Sequence, residues 1–322
     1  MSGALPVVYP ASAAERDAWI LTRRPARARL DPYQPYAYFV EDECTAEGTV
    51  EPVATVFLTN RECPFRCVMC DLWQNTLSEA VPVGAIPAQI DHALAALAPA
   101  RQLKLYNSGS FFDRQAIPPD DYGAIAQRAN RFARLIVENH PALTGDACLG
   151  FRDLLSGRLE IAMGLETAHP AVLARLNKRM TLDQFAQAAQ FLQRNQVDLR
   201  VFVLVQPPFV PADEALFWAQ RSLDFAMEQG AGVVTLIPTR GGNGAMEELA
   251  MQGQFQAPAL HLLEAAMEYG LQLRAGRVFA DLWGLRAVCG ECHAQRAARL
   301  QQMNLQQVVL DRVACSACGG VS

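Results

Sequence analysis

A chain of 322 residues, 51% of them hydrophobic, is long enough for one large core or a core with a small appendage. Its 28 Lys and Arg against 33 Asp and Glu give a formal charge of −5, which excludes the broad basic footprint of a stand-alone nucleic-acid binder but not a local basic patch. The first residues, MSGALPVVYPASAAERDAW, lack a basic segment followed by an apolar run, and nowhere do about 18 apolar residues run together, so the sequence reads as cytoplasmic, with no membrane partner.

Residues 1–50 are rich in Pro, Tyr and charge and read as an extension wrapped around the main domain. From residue 51 onward, short β-branched runs alternate with longer Ala/Leu/Gln-rich stretches of helical period, the pattern of a parallel α/β sheet. Predicted strands cover 52–59, 102–107, 133–138, 159–165, 199–206 and 232–237. Predicted helices cover 86–98, 119–131, 146–156, 181–195, 212–229 and 258–270, several of them preceded by Asp, Thr or Pro start signals. Residues 240–257 read as a glycine-rich loop followed by a short helix, and 286–322 form a tail that holds four cysteines. Six βα units fit a doubly wound sheet or a partial barrel equally well, and both place functional residues at the carboxyl ends of strands.

The cysteines carry more information than the periodicity. Nine of them in a long chain without a secretion signal point to metal or cluster ligation rather than a disulfide framework. Cys44 and Cys148 stand alone and read as small buried apolar residues. Cys63, Cys67 and Cys70 follow the first predicted strand in the stretch Asn60-Arg61-Glu62-Cys63-Pro64-Phe65-Arg66-Cys67-Val68-Met69-Cys70, a C-x3-C-x2-C loop. Three thiolates cannot complete tetrahedral zinc or a cubane; on a [4Fe-4S] cluster they leave one iron open for a chelating ligand. The competing reading is a zinc site that borrows a distant fourth ligand.

This spacing resembles the hallmark of the radical S-adenosylmethionine (SAM) superfamily, in which SAM occupies the open iron. In motif order over roughly residues 50–285, CPFRCVMC, NSGSFFD, VENHP, MGLETAHPAVLARLNKRMT, FVLVQPPF and IPTRGGNGAME are similar to the elongator-catalytic-subunit-like branch. More narrowly, they resemble the group that contains the radical SAM subunit of archaeosine synthase. The resemblance implies a partial (β/α)6 TIM-type barrel over 51–285, with SAM across its open top, and separates it from the extension 1–50 and the tail 286–322.

Residue by residue, the resemblance implies the following roles. Met69 stands where an aromatic residue often covers the adenine, and a thioether can fill that place. Ser108, Gly109 and Ser110 replace a Gly-Gly-Glu-like turn that binds the SAM amino group; hydroxyls and carbonyls there can accept from an ammonium. Glu138 and Glu166 end the third and fourth strands, with Glu166 assigned to SAM and Glu138 to SAM or substrate. Each could instead stabilise a helix N-terminus. Lys178 or Arg179 would pair with the SAM carboxylate, against the simpler reading of a solvated basic turn. Gln206 and Arg240, at the ends of the fifth and sixth strands, would face substrate.

At the C-terminus, Cys289-x2-Cys292 and Cys315-x2-Cys318 form two knuckles around a mostly helical Arg- and Gln-rich stretch. Four thiolates suit zinc as a staple, and an auxiliary [4Fe-4S] cluster is the alternative.

The expected function is therefore radical SAM chemistry: reductive cleavage of SAM and hydrogen abstraction, extending by resemblance to C–N bond cleavage on a modified 7-deazaguanine in tRNA. The partners this implies are an electron donor such as ferredoxin or flavodoxin, a small-molecule, nucleoside or tRNA substrate, and a partner subunit that supplies RNA contacts. Two other readings remain: sulfur or methylthio insertion with a second C-terminal cluster, and a zinc-knuckle module that binds a partner or RNA beside an inactive barrel.

Overall fold

The structure is a computed structural model that describes residues 8–285, 287 and 289–317. Among the described residues, eight strands join one sheet in sequence order: β1 (Ala37–Cys44), β2 (Val50–Phe57), β3 (Gln102–Tyr106), β4 (Arg134–Glu138), β5 (Arg158–Glu166), β6 (Asp198–Val205), β7 (Val233–Pro238) and β8 (Arg277–Ala280). β1 pairs antiparallel with β2, and every later pair is parallel.

Around the sheet lie α1 (Ala13–Leu21), α2 (Ala85–Ala96), α3 (Tyr122–Ala129), α4 (Asp146–Arg152), α5 (Pro170–Arg175), α6 (Leu182–Arg194), α7 (Ala215–Glu228), α8 (Ala245–Met251), α9 (Leu260–Leu273) and α10 (His293–Gln306). The six predicted strands correspond to β2–β7. The helix expected over 119–131 opens as a 3₁₀ turn at Pro119–Asp121 before α3 begins. β8 is a further parallel strand, and the extension supplies both α1 and β1, so β1 is an integral part of the sheet. Among the described residues, no helix is long and apolar enough to cross a membrane.

Alternation along each strand divides the protein into two environments. One set of side chains, including Leu103 and Leu105 of β3, Ile161 and Met163 of β5, Val201 and Val203 of β6 and Val234 and Leu236 of β7, packs under the helices as the main core. Cys148 joins it, while Cys44 packs with Val233 and Phe279, so both lone cysteines are buried apolar residues. Local signals fix the helix starts: Thr181 and Gln184 form a reciprocal capping box at the start of α6, which buries Phe185, Ala188, Ala189 and Leu192.

The second set meets across the sheet, which shows that the sheet is curled. Glu43 of β1 pairs with Lys104 of β3 at 2.5 Å and with Arg200 of β6, and Arg200 pairs with Glu160 of β5 at 2.6 Å. β1 also reaches β8, since Arg277 donates to the Cys44 carbonyl at 2.9 Å. This ionic cluster occupies the end of the barrel where the parallel strands begin. Toward the other end, rings from β1, β2, β3 and β6 line the interior: Phe39 to Phe57 at 5.8 Å, Phe57 to Tyr106 at 6.0 Å and Tyr106 to Phe202 at 6.2 Å. The protein is a partial barrel with a charged floor, an aromatic lumen and a rim at the carboxyl ends of its parallel strands.

Removing one partner from a buried ion network leaves charges without compensation. Burial alone would raise the Glu43 pKa, but the Arg200 and Lys104 charges and hydrogen bonds outweigh it and hold the carboxyl far below the usual range. A carboxylate depressed in this way contributes stability above its unfolded pKa and loses it as the pH falls. Glu43→Gln should therefore cost about 3–5 kcal/mol near neutral pH, with the deficit narrowing below about pH 4. Urea unfolding of both proteins across that range tests this.

Candidate active site

The chain leaves β2 along a rim that is built to hold one loop. Leu58 N–H still donates to the Tyr106 carbonyl at 2.7 Å, and Gln89 of α2 both accepts from Thr59 N–H at 2.8 Å and donates to its carbonyl at 2.7 Å. Beyond that anchor, the ends of the cysteine loop are tied by Leu77 N–H to the Asn60 carbonyl and Glu62 N–H to the Leu77 carbonyl. The middle of the loop is held from the far side of the barrel. Asn177, after β5, donates to the Arg66 carbonyl at 2.8 Å, and Asn243, after β7, donates to the carbonyls of Val68 and Cys70 at 2.8 and 3.0 Å. Glu62 takes three guanidinium partners, Arg24, Arg27 and Arg66, which fastens the extension to the loop.

Cys63, Cys67 and Cys70 are thus presented together on the rim. Burial pushes each thiol up to about 12, and each pKa is raised further by the charge of another of the three, so the sulfurs lie within electrostatic reach of one another. Three thiols on one loop suit the three cysteine-bound irons of a [4Fe-4S] cluster, whereas a structural zinc ion would need a fourth protein ligand.

Phe65, inside the loop, stacks on His140 with ring centroids 3.8 Å apart. The His140 Nδ1 accepts from Ala142 N–H, and its Nε2 donates to the Lys178 carbonyl at 2.9 Å, the assignment that a neutral imidazole allows. Burial and the nearby Lys178 charge lower its pKa to about 3, so it acts as a fixed spacer rather than a proton carrier.

The neighbouring strand ends supply polar groups. Glu138 accepts from the Asn107 and Ser108 backbone N–H groups at 2.9 and 3.1 Å, which folds the Asn-Ser-Gly-Ser turn onto a carboxylate from the next strand. The Ser108 Oγ meets the Tyr36 hydroxyl at 2.9 Å, and the buried Ser110 Oγ accepts from His140 N–H at 3.1 Å. A Cβ on Gly109 would stand 3.2 Å from the Cys63 Cβ, so glycine permits the close approach of turn and loop. Glu166 pairs with Lys178 at 2.7 Å, and a side chain on Gly164 would strike both. Ser108, two residues past β3, Glu166, the last residue of β5, and Gln206, the residue after β6, have φ of 52°, 66° and 53°. Left-handed backbone at non-glycine residues costs energy and marks functional rims.

The two basic candidates separate. Lys178 is buried and near enough to Cys67 and Cys63 for their charges to bear on it. Arg179 instead pairs with Asp17 of α1 at 2.7 Å and donates to the Ala13 carbonyl, on an exposed surface. Met69 packs against the small core that contains Val68 and Leu176. Arg240 pairs with Asp281 beside a cavity of about 510 Å³ lined by Met246, Phe255, Leu260 and Leu285.

Sequence reasoning assigned no role to Thr59, Asn60 or Asn107. The Thr59 Oγ1, the Asn60 Oδ1 and both polar atoms of the Asn107 amide are buried without a hydrogen-bond partner among the described residues. Orphaned polar atoms at adjacent strand ends beside the cysteine loop are what a polar cofactor would satisfy.

At the other end of the chain, the donor atoms of Cys289, Cys292 and Cys315 all lie within 4.8 Å of one another. Cys318 lies outside the described residues.

Fold and site together define an α/β half-barrel that carries a three-thiol loop on its open rim. No family model matches the chain. It is 28% identical over 205 residues to archaeosine synthase subunit beta of Methanosarcina acetivorans, covering 60% of this chain and 58% of that one, so it spans less than two thirds of that relative. It is 21% identical over 301 residues to an uncharacterized protein of Methanocaldococcus jannaschii, covering 86% of this chain and 82% of that one. Among solved structures, it is similar to Elp3 of Methanocaldococcus infernus, with a TM-score of 0.46 and 12% identity over 63% of this chain and 52% of that one. The Methanosarcina relative agrees with the branch that the sequence motifs resemble.

Glu138 supplies a pH test of the turn. Burial raises its pKa to about 7, outweighing the backbone N–H bonds that favour the carboxylate. A carboxyl raised in the folded state stabilises at low pH and loses that contribution as the pH rises through the folded value. In metal-free protein, wild type should lose stability relative to Glu138→Gln between about pH 5 and pH 8; parallel urea midpoints for the two would show the turn misread.

Proposed function

We propose that this chain is a radical SAM enzyme and that Cys63, Cys67 and Cys70 hold its [4Fe-4S] cluster. The observation that carries the reading is the three-thiol loop on the half-barrel rim, its thiols within electrostatic reach of one another, with orphaned polar groups beside it. Held by these three cysteines, a reduced cluster with SAM bound would supply one electron to the sulfonium, breaking its bond to the 5' carbon to release methionine and a 5'-deoxyadenosyl radical able to take a hydrogen atom from the substrate.

The protein's own residues do the holding and shielding. The Ser108-Gly109-Ser110 turn, braced by Glu138, and the Glu166–Lys178 pair face the region above the cysteines where SAM's amino, carboxylate and ribose groups need partners. Lys178 is the cation for the SAM carboxylate in this reading, since Arg179 is committed to Asp17. Met69 flanks the adenine, and Gln206 and Arg240 meet the substrate. The lumen is closed below by the Glu43 network, so substrate enters from the rim.

The kinship with an archaeosine synthase subunit supports a reaction on a modified 7-deazaguanine nucleoside or tRNA, with C–N bond cleavage as the step, and it supports a partner subunit. A donor such as ferredoxin or flavodoxin supplies the electron. The C-terminal thiols form a second, separate metal centre.

Anaerobically reconstituted protein should show cluster charge-transfer absorption and, with dithionite and SAM, release 5'-deoxyadenosine. Cys67→Ala should reduce that release to background. Absence of 5'-deoxyadenosine from well-loaded wild type would sink the reading, and mass spectrometry of tRNA nucleosides after incubation with each protein identifies the product.

A further inference from the structure

An incomplete barrel leaves two free edges, and unpaired strand edges invite association unless something covers them. Here the cover is α10, which lies across both β1 and β8. Its grip on β8 imitates a neighbouring strand. The Asn304 side-chain amide accepts from Ala280 N–H at 2.8 Å and donates to the Ala280 carbonyl at 2.9 Å. Gln307 does the same for Val278, at 2.8 and 3.0 Å. The outward-facing peptide groups of β8 are thereby satisfied by side chains rather than by a ninth strand.

Both ends of this helix need anchoring for the imitation to hold. On its middle turns, Arg296 pairs with Glu264 and Arg299 pairs with Glu268 at 2.7 Å, both acids belonging to α9. Arg299 also donates to the carbonyls of Leu310 and Asp311, and Arg312 pairs with Glu268, so the returning segment is steered back along the helix. That return brings Cys315 to within 3.8 Å, sulfur to sulfur, of Cys289, 26 residues earlier.

The separation fits zinc. Zinc–sulfur bonds of about 2.3 Å in a tetrahedron set the sulfur–sulfur edge at about 3.8 Å, whereas the thiolates of a cubane each bind a different iron and stand wider apart. Cys289 also accepts backbone N–H bonds from Cys292 and Glu291, the turn of a metal knuckle, and Cys292 is the residue from which α10 starts. The sequence provides a fourth thiol at Cys318.

We propose that Cys289, Cys292, Cys315 and Cys318 hold one structural zinc ion that fixes the start of α10 and so keeps the helix seated over the free edges of the half-barrel. The inference concerns residues outside the three-thiol loop and stands whether or not that loop performs SAM chemistry.

The test uses full-length protein carrying Cys63→Ala, Cys67→Ala and Cys70→Ala, purified with zinc and iron both available. About one zinc per chain and no retained iron is the expected composition, and cobalt exchanged into the same site should give tetrahedral thiolate absorption. Adding Cys289→Ser and Cys318→Ser should abolish zinc retention. Because those changes could unfold the tail, the second measurement is amide hydrogen exchange on the zinc-loaded protein before and after chelation. Exchange at 277–280 and 293–306 should accelerate roughly tenfold or more while β4 and β5 stay protected. Retention of about four irons in place of zinc, binding of neither metal, or unchanged exchange after zinc removal overturns the proposal.

Discussion

A single carboxylate, Glu43, lets this sheet curl without closing. It sits on the antiparallel strand β1 and reaches Lys104 on β3 and Arg200 on β6, so strands that are far apart in the sheet order are tied through the interior. Apolar side chains could fill such a floor, but they would not fix which strands face one another. An ion network satisfied on several sides does so by geometry, because any slip strands a buried charge. With the floor fixed, the lumen has a closed end, and chemistry is confined to the rim where β2–β7 finish.

At that rim, the strained turns and the cysteine loop depend on each other. Asn177 and Asn243 come from loops after β5 and β7, yet both spend their side-chain donors on carbonyls of the cysteine loop after β2. Glu138 on β4 likewise spends an oxygen on the turn after β3. Each strand end therefore holds a neighbour's loop rather than its own. Left-handed conformations at Ser108, Glu166 and Gln206 persist because these cross-links and the packing behind them over-determine the backbone.

Legibility in the sequence follows from this division. Strands β2–β7 were readable because their helix-facing side chains are Val, Ile and Leu and recur with intervening helices of clear period. β1 was hidden: its sequence, AYFVEDEC, puts Phe39 and then Glu41 and Glu43 on the inner face that builds the aromatic lumen and the ionic floor, and its run of acids resembles a solvated extension. β8 is only four residues long and borrows edge partners from side chains, which no periodicity reveals. For the site, the C-x3-C-x2-C spacing and the strand-end acids were visible. That Glu138 would clamp a turn, that Arg179 would turn away to Asp17, and that Asn107 would be left orphaned depend on strand register and left-handed φ values, neither of which the sequence spells out.

The openness of the barrel explains why both termini are so heavily anchored. A closed barrel would pair β1 with β8 and fill its interior, leaving no lumen for a substrate beside the cysteine loop. An open one must instead hold its loose edges and its rim by other means. The N-terminal segment does this above, through Arg24 and Arg27 on Glu62, Tyr9 on the Arg175 carbonyl and Asp17 on Asn177 and Arg179. Helix α10 does it at the side, through its amide imitation of a strand. Both segments also bury apolar side chains, Tyr9, Trp19 and Ile20 in the small core beside the cysteine loop and Leu300 and Met303 in the main core, while directional polar contacts set where each segment lies. Such contacts lock a geometry without demanding volume, which is what a barrel must have if its interior is to stay available.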